Sequence, residues 1–259
     1  ACDIKGALAG MLAALPGTRG PVALLLSSDE EAGSSRCVRA FIERHQFAEV
    51  VVAEPTRCRA VLEHRGIGTA TAVFSGLGGH ASASRALADS AVHEAIRWAG
   101  LALEHSSASE AAGEGLRLNI GAFEGGQKAN MIAANATLRF GVRPPPGLAP
   151  QDALARLFAL ATDPGRVNFV PGFLAPPLPA ADASLLATAR ARAEDLATRL
   201  GVQAGAAVDF WTEAALFSAA GATALVFGPG DIAQAHAAGE WVALAELAAA
   251  ADVYRRIWS

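Results

Sequence analysis

Two rhythms share this 259-residue chain, and their order limits what it can fold into. At both ends, short apolar runs alternate with segments of helical periodicity. Residues 21–27 (PVALLLS) and 49–53 (EVVVA) are runs of strand length, apolar enough to be buried on both faces, and 205–209 and 222–227 follow later. Around them, residues 4–15, 35–45, 183–200 and 241–257 read as helices, with Asp3 in the N-cap position of the first. Strands alternating with helices argue for an α/β domain built on a mostly parallel sheet.

The middle reads differently. Strands near 67–75, 116–123, 131–142 and 166–170, with helices at 86–105 and 150–161, give the order β-α-β-β-α-β, the split ferredoxin-like pattern. The expected organisation is one α/β domain in two parts, residues 1–64 and 172–259, with an α+β domain inserted over 65–171. The helix at 86–105 has a small-residue face of Ala91, Ala95, Trp98, Ala99 and Ala102, which suits packing in that domain or contact with a second copy.

Composition removes several classes of function. With 52% hydrophobic residues the chain can build a core, and no apolar run nears the roughly 18 residues a membrane span needs, so no membrane partner is expected. Net charge is −4, and Lys5 and Lys128 are the only lysines beside scattered arginines, so there is no basic footprint for nucleic acid. Cys2, Cys37 and Cys58 cannot all pair and show no C-x-x-C spacing, which points to a reducing, cytoplasmic setting.

Chemistry gathers at the ends of the apolar runs, where open α/β sheets bind ligands. Run 21–27 is followed by Asp29, Glu30 and Glu31, run 49–53 by Glu54, and run 222–227 by Gly228-Pro229-Gly230-Asp231 and His236. Asp3 would face the same edge. Two carboxylates about 4 Å apart repel by about 4 kcal/mol at an effective dielectric near 20, so this crowd calls for cations. Mixed nitrogen and oxygen donors suit zinc, cobalt or manganese better than calcium. The bland alternative is a set of solvated acids on surface loops.

In order along the chain, Asp3-Ile4-Lys5-Gly6, Ser28-Asp29-Glu30-Glu31, Ala53-Glu54-Pro55-Thr56, Gly79-His80-Ala81-Ser82 and His236 with Glu240 resemble the motifs of the M20 metallopeptidase family. The resemblance spans essentially the whole chain, and Val208 to Ala214 with Gly228 to His236 directs it to the deacylating branch. It implies a zinc-exopeptidase-like domain with an inserted lid that dimerises. The implied reaction removes the acetyl group from N-acetylcitrulline or N-acetylornithine in arginine biosynthesis, using two divalent ions, zinc or alternatively cobalt.

Carried over, Asp3 bridges the two metals, Glu31 and His236 complete one site, and Glu54 serves the other. Glu30 is the general base and His80 stabilises the oxyanion. Asn130 and Arg143 hold the substrate carboxylate, and Asp29 either orients a ligand or caps the following helix. Glu213 is left between touching substrate and starting a helix.

Family members also carry an upstream H-x-D segment, which this sequence lacks, so a fragment is expected whose Glu54 site is one ligand short. The alternatives are an exopeptidase, a succinyl-diaminopimelate-type deacylase, or a non-catalytic dimerising scaffold. Residues 76–81 imitate a dinucleotide-binding turn, but no acid follows at the required distance. His45, His64, His93 and His105 read as ordinary packing or surface histidines.

Overall fold

A computed structural model describes residues 1–30 and 35–258. The chain separates into two compact units: Ala1–Arg65 with the stretch from Pro176 onward, and Gly66–Ala175. In the first part of the first unit lie α1 (Lys5–Ala14), α2 (Arg36–Ile42) and β1 (Glu49–Val52). The second unit contains β2 (Ile67–Ser75), β3 (Gly79–His80), α3 (Ala86–Asp89), α4 (Ala91–Ala111), β4 (Arg117–Gly125), β5 (Met131–Ile132), β6 (Asn135–Arg143), α5 (Pro150–Phe158) and β7 (Val167–Ala175). The chain then returns to the first unit for α6 (Leu186–Arg199), α7 (Ala214–Ala219), β8 (Thr223–Val226) and α8 (Leu244–Trp258).

The second unit is an antiparallel sheet in the order β4-β6-β2-β7. Strand β2 is central and buries alternate residues: Gly68, Ala70, Ala72 and Phe74 face inward. On β6, Ala136, Leu138, Phe140 and Val142 do the same. This period of two supplies one apolar face, and α4 and α5 cover it with Ala91, Ala95, Trp98, Ala102, Ala153, Leu154 and Leu157. Trp98 is fully buried among Phe74, Phe140 and Phe169 and donates its indole N–H to the Leu157 carbonyl at 3.0 Å. The small-residue face of α4 is therefore core of this unit. The expected strand over 131–142 is split in two. Its first piece, β5, pairs with β3 in a separate two-stranded ladder.

The first unit departs further from expectation. Its described ladder is one parallel pair, β1 with β8, from Glu49 opposite Thr223 to Val52 opposite Val226. A mostly parallel sheet of more strands is thus a misreading among the described residues. Residues 21–27 are not a strand, and Leu26 is 61% exposed. Their apolar character was read correctly, but a strand exists only when a neighbour takes up its backbone donors and acceptors. Here a cavity of about 760 Å³ is lined by both 21–28 and 47–54. The expected strand at 205–209 is likewise reduced to an isolated bridge of Val208 with His64.

Helices α1, α6 and α8 supply most of this unit's core. Ala14, Ala193, Leu196, Ala197, Ala250, Val253, Tyr254 and Trp258 gather on Leu225 and Phe227 at the end of β8. Together the two units make an α/β fold with both parallel and antiparallel ladders. No helix among the described residues is long and apolar enough to cross a membrane.

Candidate active site

Glu54 sits two residues past the carboxyl end of β1, and its place depends on glycine at the end of β8. A Cβ on Gly228 would lie 2.6 Å from the Glu54 carbonyl oxygen, so only glycine lets the two chains approach this closely. The Thr56 hydroxyl accepts from the Gly228 N–H at 3.1 Å, and the Gly228 carbonyl accepts from the Cys58 N–H at 2.9 Å. Two residues on, Gly230 adopts φ 93°, and the chain turns through a short 3-10 helix, Ile232–Gln234, to His236. Asp231 caps that helix by accepting from the Ala233 N–H.

The turn delivers His236 to Asp3, with Nε2 and Oδ2 3.0 Å apart. Asp3 is not the cap of α1: Ile4 holds the N-cap position with no side-chain hydrogen bond, and the Asp3 carboxylate is directed to the histidine. The Asp3 N–H donates to Glu240 at 3.2 Å. Asp3, Glu30 and Glu54 all line the 760 Å³ cavity, as do Ser27, Ser28 and Glu213. Its lining also includes the apolar Leu8, Val22, Leu24, Val51 and Phe217.

The remaining expected residues divide as follows. Glu31 lies outside the described residues. Asp29 is a cap: its carboxylate accepts from the Arg36 N–H at 2.7 Å and the Cys37 N–H at 3.2 Å, two orphan donors at the start of α2. His80, Asn130 and Arg143 belong to the second unit. The Asn130 carbonyl accepts from the Ala81 N–H at 3.0 Å, which places it beside His80 on the β3–β5 ladder. The His80 ring bonds Ser82 at 2.8 Å, and Arg143 ends β6.

Two groups carry more than the sequence suggested. Glu213 is 6% exposed; its Oε2 accepts from the Ser27 hydroxyl at 2.7 Å, and its Oε1 is buried without a hydrogen-bond partner. Burial raises its pKa, the Ser27 and Ser35 hydroxyls oppose this, and the Asp29 charge adds to the rise. Behind it, His64 is fully buried. The Arg65 carbonyl lies 2.9 Å from Nδ1, and because a carbonyl only accepts, Nδ1 carries the proton. Nε2 then accepts from the Thr212 hydroxyl at 3.0 Å and the Thr212 N–H at 3.3 Å. Burial lowers the His64 pKa to about 4, so it is neutral near pH 7. No periodicity marks either group.

Among the described residues no group of three or more His, Cys, Asp and Glu side chains stands close enough to hold an ion. The pair that is in place nonetheless fits one. Donors about 2.0–2.1 Å from a shared tetrahedral zinc sit roughly 3.3 Å apart, against 3.0 Å for Asp3 and His236. One imidazole with carboxylates is also the donor chemistry that zinc accepts.

Comparison with known proteins gives the chain its family. An N-acetyl-L-citrulline deacetylase of Xanthomonas campestris pv. campestris is 50% identical over 99% of this chain and 71% of its own length. An acetylornithine deacetylase of Myxococcus xanthus is 32% identical over 95% of this chain and 67% of its own. In fold, the aminopeptidase PepT of Bacillus cereus superposes with a TM-score of 0.75 at 18% identity, covering 98% of this chain and 69% of that one. An M20 family metallo-carboxypeptidase of Sulfolobus solfataricus gives 0.64 at 14%, over 99% and 75%. The profile of peptidase family M20/M25/M40 matches residues 1–259. The chain belongs to that family, whose members are metal-dependent hydrolases of amide bonds.

Proposed function

We propose that this protein is a cytoplasmic deacetylase of Nα-acetyl amino acids in arginine biosynthesis, with N-acetylcitrulline as its substrate and N-acetylornithine as the alternative. The observation that carries the reading is the 3.0 Å contact of His236 with Asp3, which lines the same cavity as Glu30 and Glu54. The 50% identical relative supports the choice of substrate. Asp3, His236 and Glu31 would hold one divalent ion and Glu54, with Asp3, a second, the ion being zinc or alternatively cobalt. Such ions supply Lewis acidity to the acyl carbonyl and make water a nucleophile at neutral pH.

The chain's own residues do the rest. Glu30 takes the proton from the attacking water and returns it to the leaving amine. His80 donates to the developing oxyanion. Arg143, with Asn130, holds the α-carboxylate, a role for which the planar guanidinium is suited. Residues 65–171 act as a lid, and the exposed face of α4, with Ile96, Gly100 and Leu103 at helical spacing, is the contact for a homodimer.

The test is turnover by the zinc-loaded protein of N-acetylcitrulline, N-acetylornithine, N-succinyl-diaminopimelate and a dipeptide. The expected preference is for the acetylated pair, and Glu30→Gln is expected to lose roughly 10²–10⁴-fold in kcat while still binding zinc. Undiminished turnover by that variant rejects Glu30 as the base, and a preference for the dipeptide rejects the deacetylase reading.

A further inference from the structure

Strand β3 is reached from β2 through Gly76-Leu77-Gly78, so that with Gly79 three glycines in four residues lead up to His80. Glycine loses more conformational freedom on folding than any other residue, and a turn of this composition does not hold itself still. Backbone bonds tie its two ends. The Gly76 N–H donates to the Ala134 carbonyl at 2.8 Å, and the Ala81 N–H donates to the Asn130 carbonyl at 3.0 Å.

Between those ends, two consecutive carbonyls go to one side chain. Arg85 donates from Nη1 to the Leu77 carbonyl at 3.1 Å and from Nη2 to the Gly78 carbonyl at 3.0 Å. Nη1 also donates to Asp89 Oδ2 at 2.6 Å, one helical turn on, which orients the guanidinium. Asp89 is held in its turn: its carbonyl accepts from the Leu77 N–H at 3.1 Å and from Arg166 Nη2 at 2.8 Å. A Cβ on Gly79 would stand 2.5 Å from Arg85 Nη2, so a side chain there would push the fork off the turn.

The histidine beyond the turn has a defined tautomer. Its Nδ1 receives the Ser82 N–H at 3.3 Å, and because a backbone N–H only donates, the proton of the neutral ring sits on Nε2. The Ser82 hydroxyl lies 2.8 Å from the same Nδ1. Nε2–H is the donor that an oxyanion asks of this residue, and such a donor is effective when its position is set in advance.

We infer that Arg85 is a positioning residue: its fork closes the glycine-rich turn over Leu77 and Gly78 and so sets where His80 stands. The consequence for catalysis rests on the reading of His80 as the oxyanion donor. The clamp on the turn does not. The guanidinium is taken up by main-chain carbonyls and Asp89, so it acts through β3 and not on substrate.

The experiment compares Arg85→Ala, Arg85→Lys and Gly79→Ala in the whole chain. Lysine keeps the charge without the planar fork, and alanine at position 79 keeps the arginine but displaces it. The first readout is amide exchange at Leu77 and Ala81, with the amides of β6 as a control for folding. Exchange at Leu77 is expected to quicken at least tenfold in Arg85→Ala and in Gly79→Ala, by less in Arg85→Lys, and to stay within twofold in β6. Unchanged exchange at Leu77 in Arg85→Ala overturns the clamp whatever the enzyme does. An equal rise in β6 overturns it as well, because Arg85 would then hold the sheet and not the turn.

The second readout is turnover of N-acetylcitrulline by the zinc-loaded protein. Misplacement of a catalytic group by about 1 Å costs on the order of 10²-fold, so Arg85→Ala is expected to lose about that much in kcat with KM within twofold. Arg85→Lys is expected to recover part of the loss; a lysine variant equal to wild type in both readouts overturns the inference, because charge alone then suffices. Wild-type kcat in Arg85→Ala, where His80→Ala is impaired, also overturns it. If His80→Ala turns over as fast as wild type, the oxyanion reading falls, and the exchange result alone judges the clamp.

Discussion

Acid is expected to weaken the first unit through a single imidazole. His64 has a pKa of about 4 in the fold against 6.5 for the ordinary side chain, chiefly because burial disfavours the cation. The unfolded chain therefore binds this proton more tightly than the native one. The stability His64 contributes is complete above about pH 6.5 and is lost as pH falls toward 4. With these two values, proton binding favours unfolding by RT ln[(1 + 10^(6.5 − pH))/(1 + 10^(4 − pH))]. The difference between pH 7 and pH 4.5 is about 2 kcal/mol. At a urea dependence near 2 kcal/mol per molar, that is about 1 M in the unfolding midpoint. Other groups titrate over the same range, so the measurement is a difference. Urea unfolding of wild type and His64→Gln at both pH values should show the wild-type midpoint falling by about 1 M more than that of the variant. Equal falls would mean that His64 is solvated or charged in the native protein, and the neutral Nδ1–H tautomer assigned above would be wrong.

Three other outcomes follow from the packing and the site. Trp98→Ala should destabilise the second unit by about 3–5 kcal/mol, since it empties the centre of the α4–sheet interface and strands the Leu157 carbonyl; a loss under about 1 kcal/mol by urea denaturation contradicts that core. His236→Ala should weaken zinc binding at least about tenfold in competition with a chelating dye, the loss already usual for groups one shell further out, and unaltered affinity would remove His236 from the ligand set. Ile96→Glu, at a side chain 53% exposed on α4, should convert a dimer to a monomer in sedimentation without loss of helix content; a dimer that persists moves the contact elsewhere.

What was legible depended on whether the signal was local. Strand β2 was read from residue 67 to 75 because alternation of Gly68, Ala70, Ala72 and Phe74 with their outward neighbours is a property of the strand itself. Helices α6 and α8 were found for the same reason, with boundaries that differ by a few residues. Helix α7 was left open, as the alternative that Glu213 starts a helix, which it does as the N-cap: six residues, four of them buried, give no amphipathic stripe to decide it from sequence. Residues 21–27 were misread in the opposite direction. Their composition suits a strand, but pairing needs a neighbour, and composition does not provide one.

The sequence by itself determined the covalent stock of the site and its likeness to a family of metal-dependent hydrolases: Asp3, Glu30, Glu31, Glu54 and His236 stand after turn signals and apolar runs, where a parallel sheet would expose them. Only the tertiary structure decided which of them meet. It turned Asp3 from a helix cap into the partner of His236, made Asp29 a cap, and buried Glu213 against Ser27 across 186 residues. Local pattern reports on periodicity, whereas these contacts depend on how distant segments are packed, and desolvation and hydrogen bonding arise only once packing has removed the water.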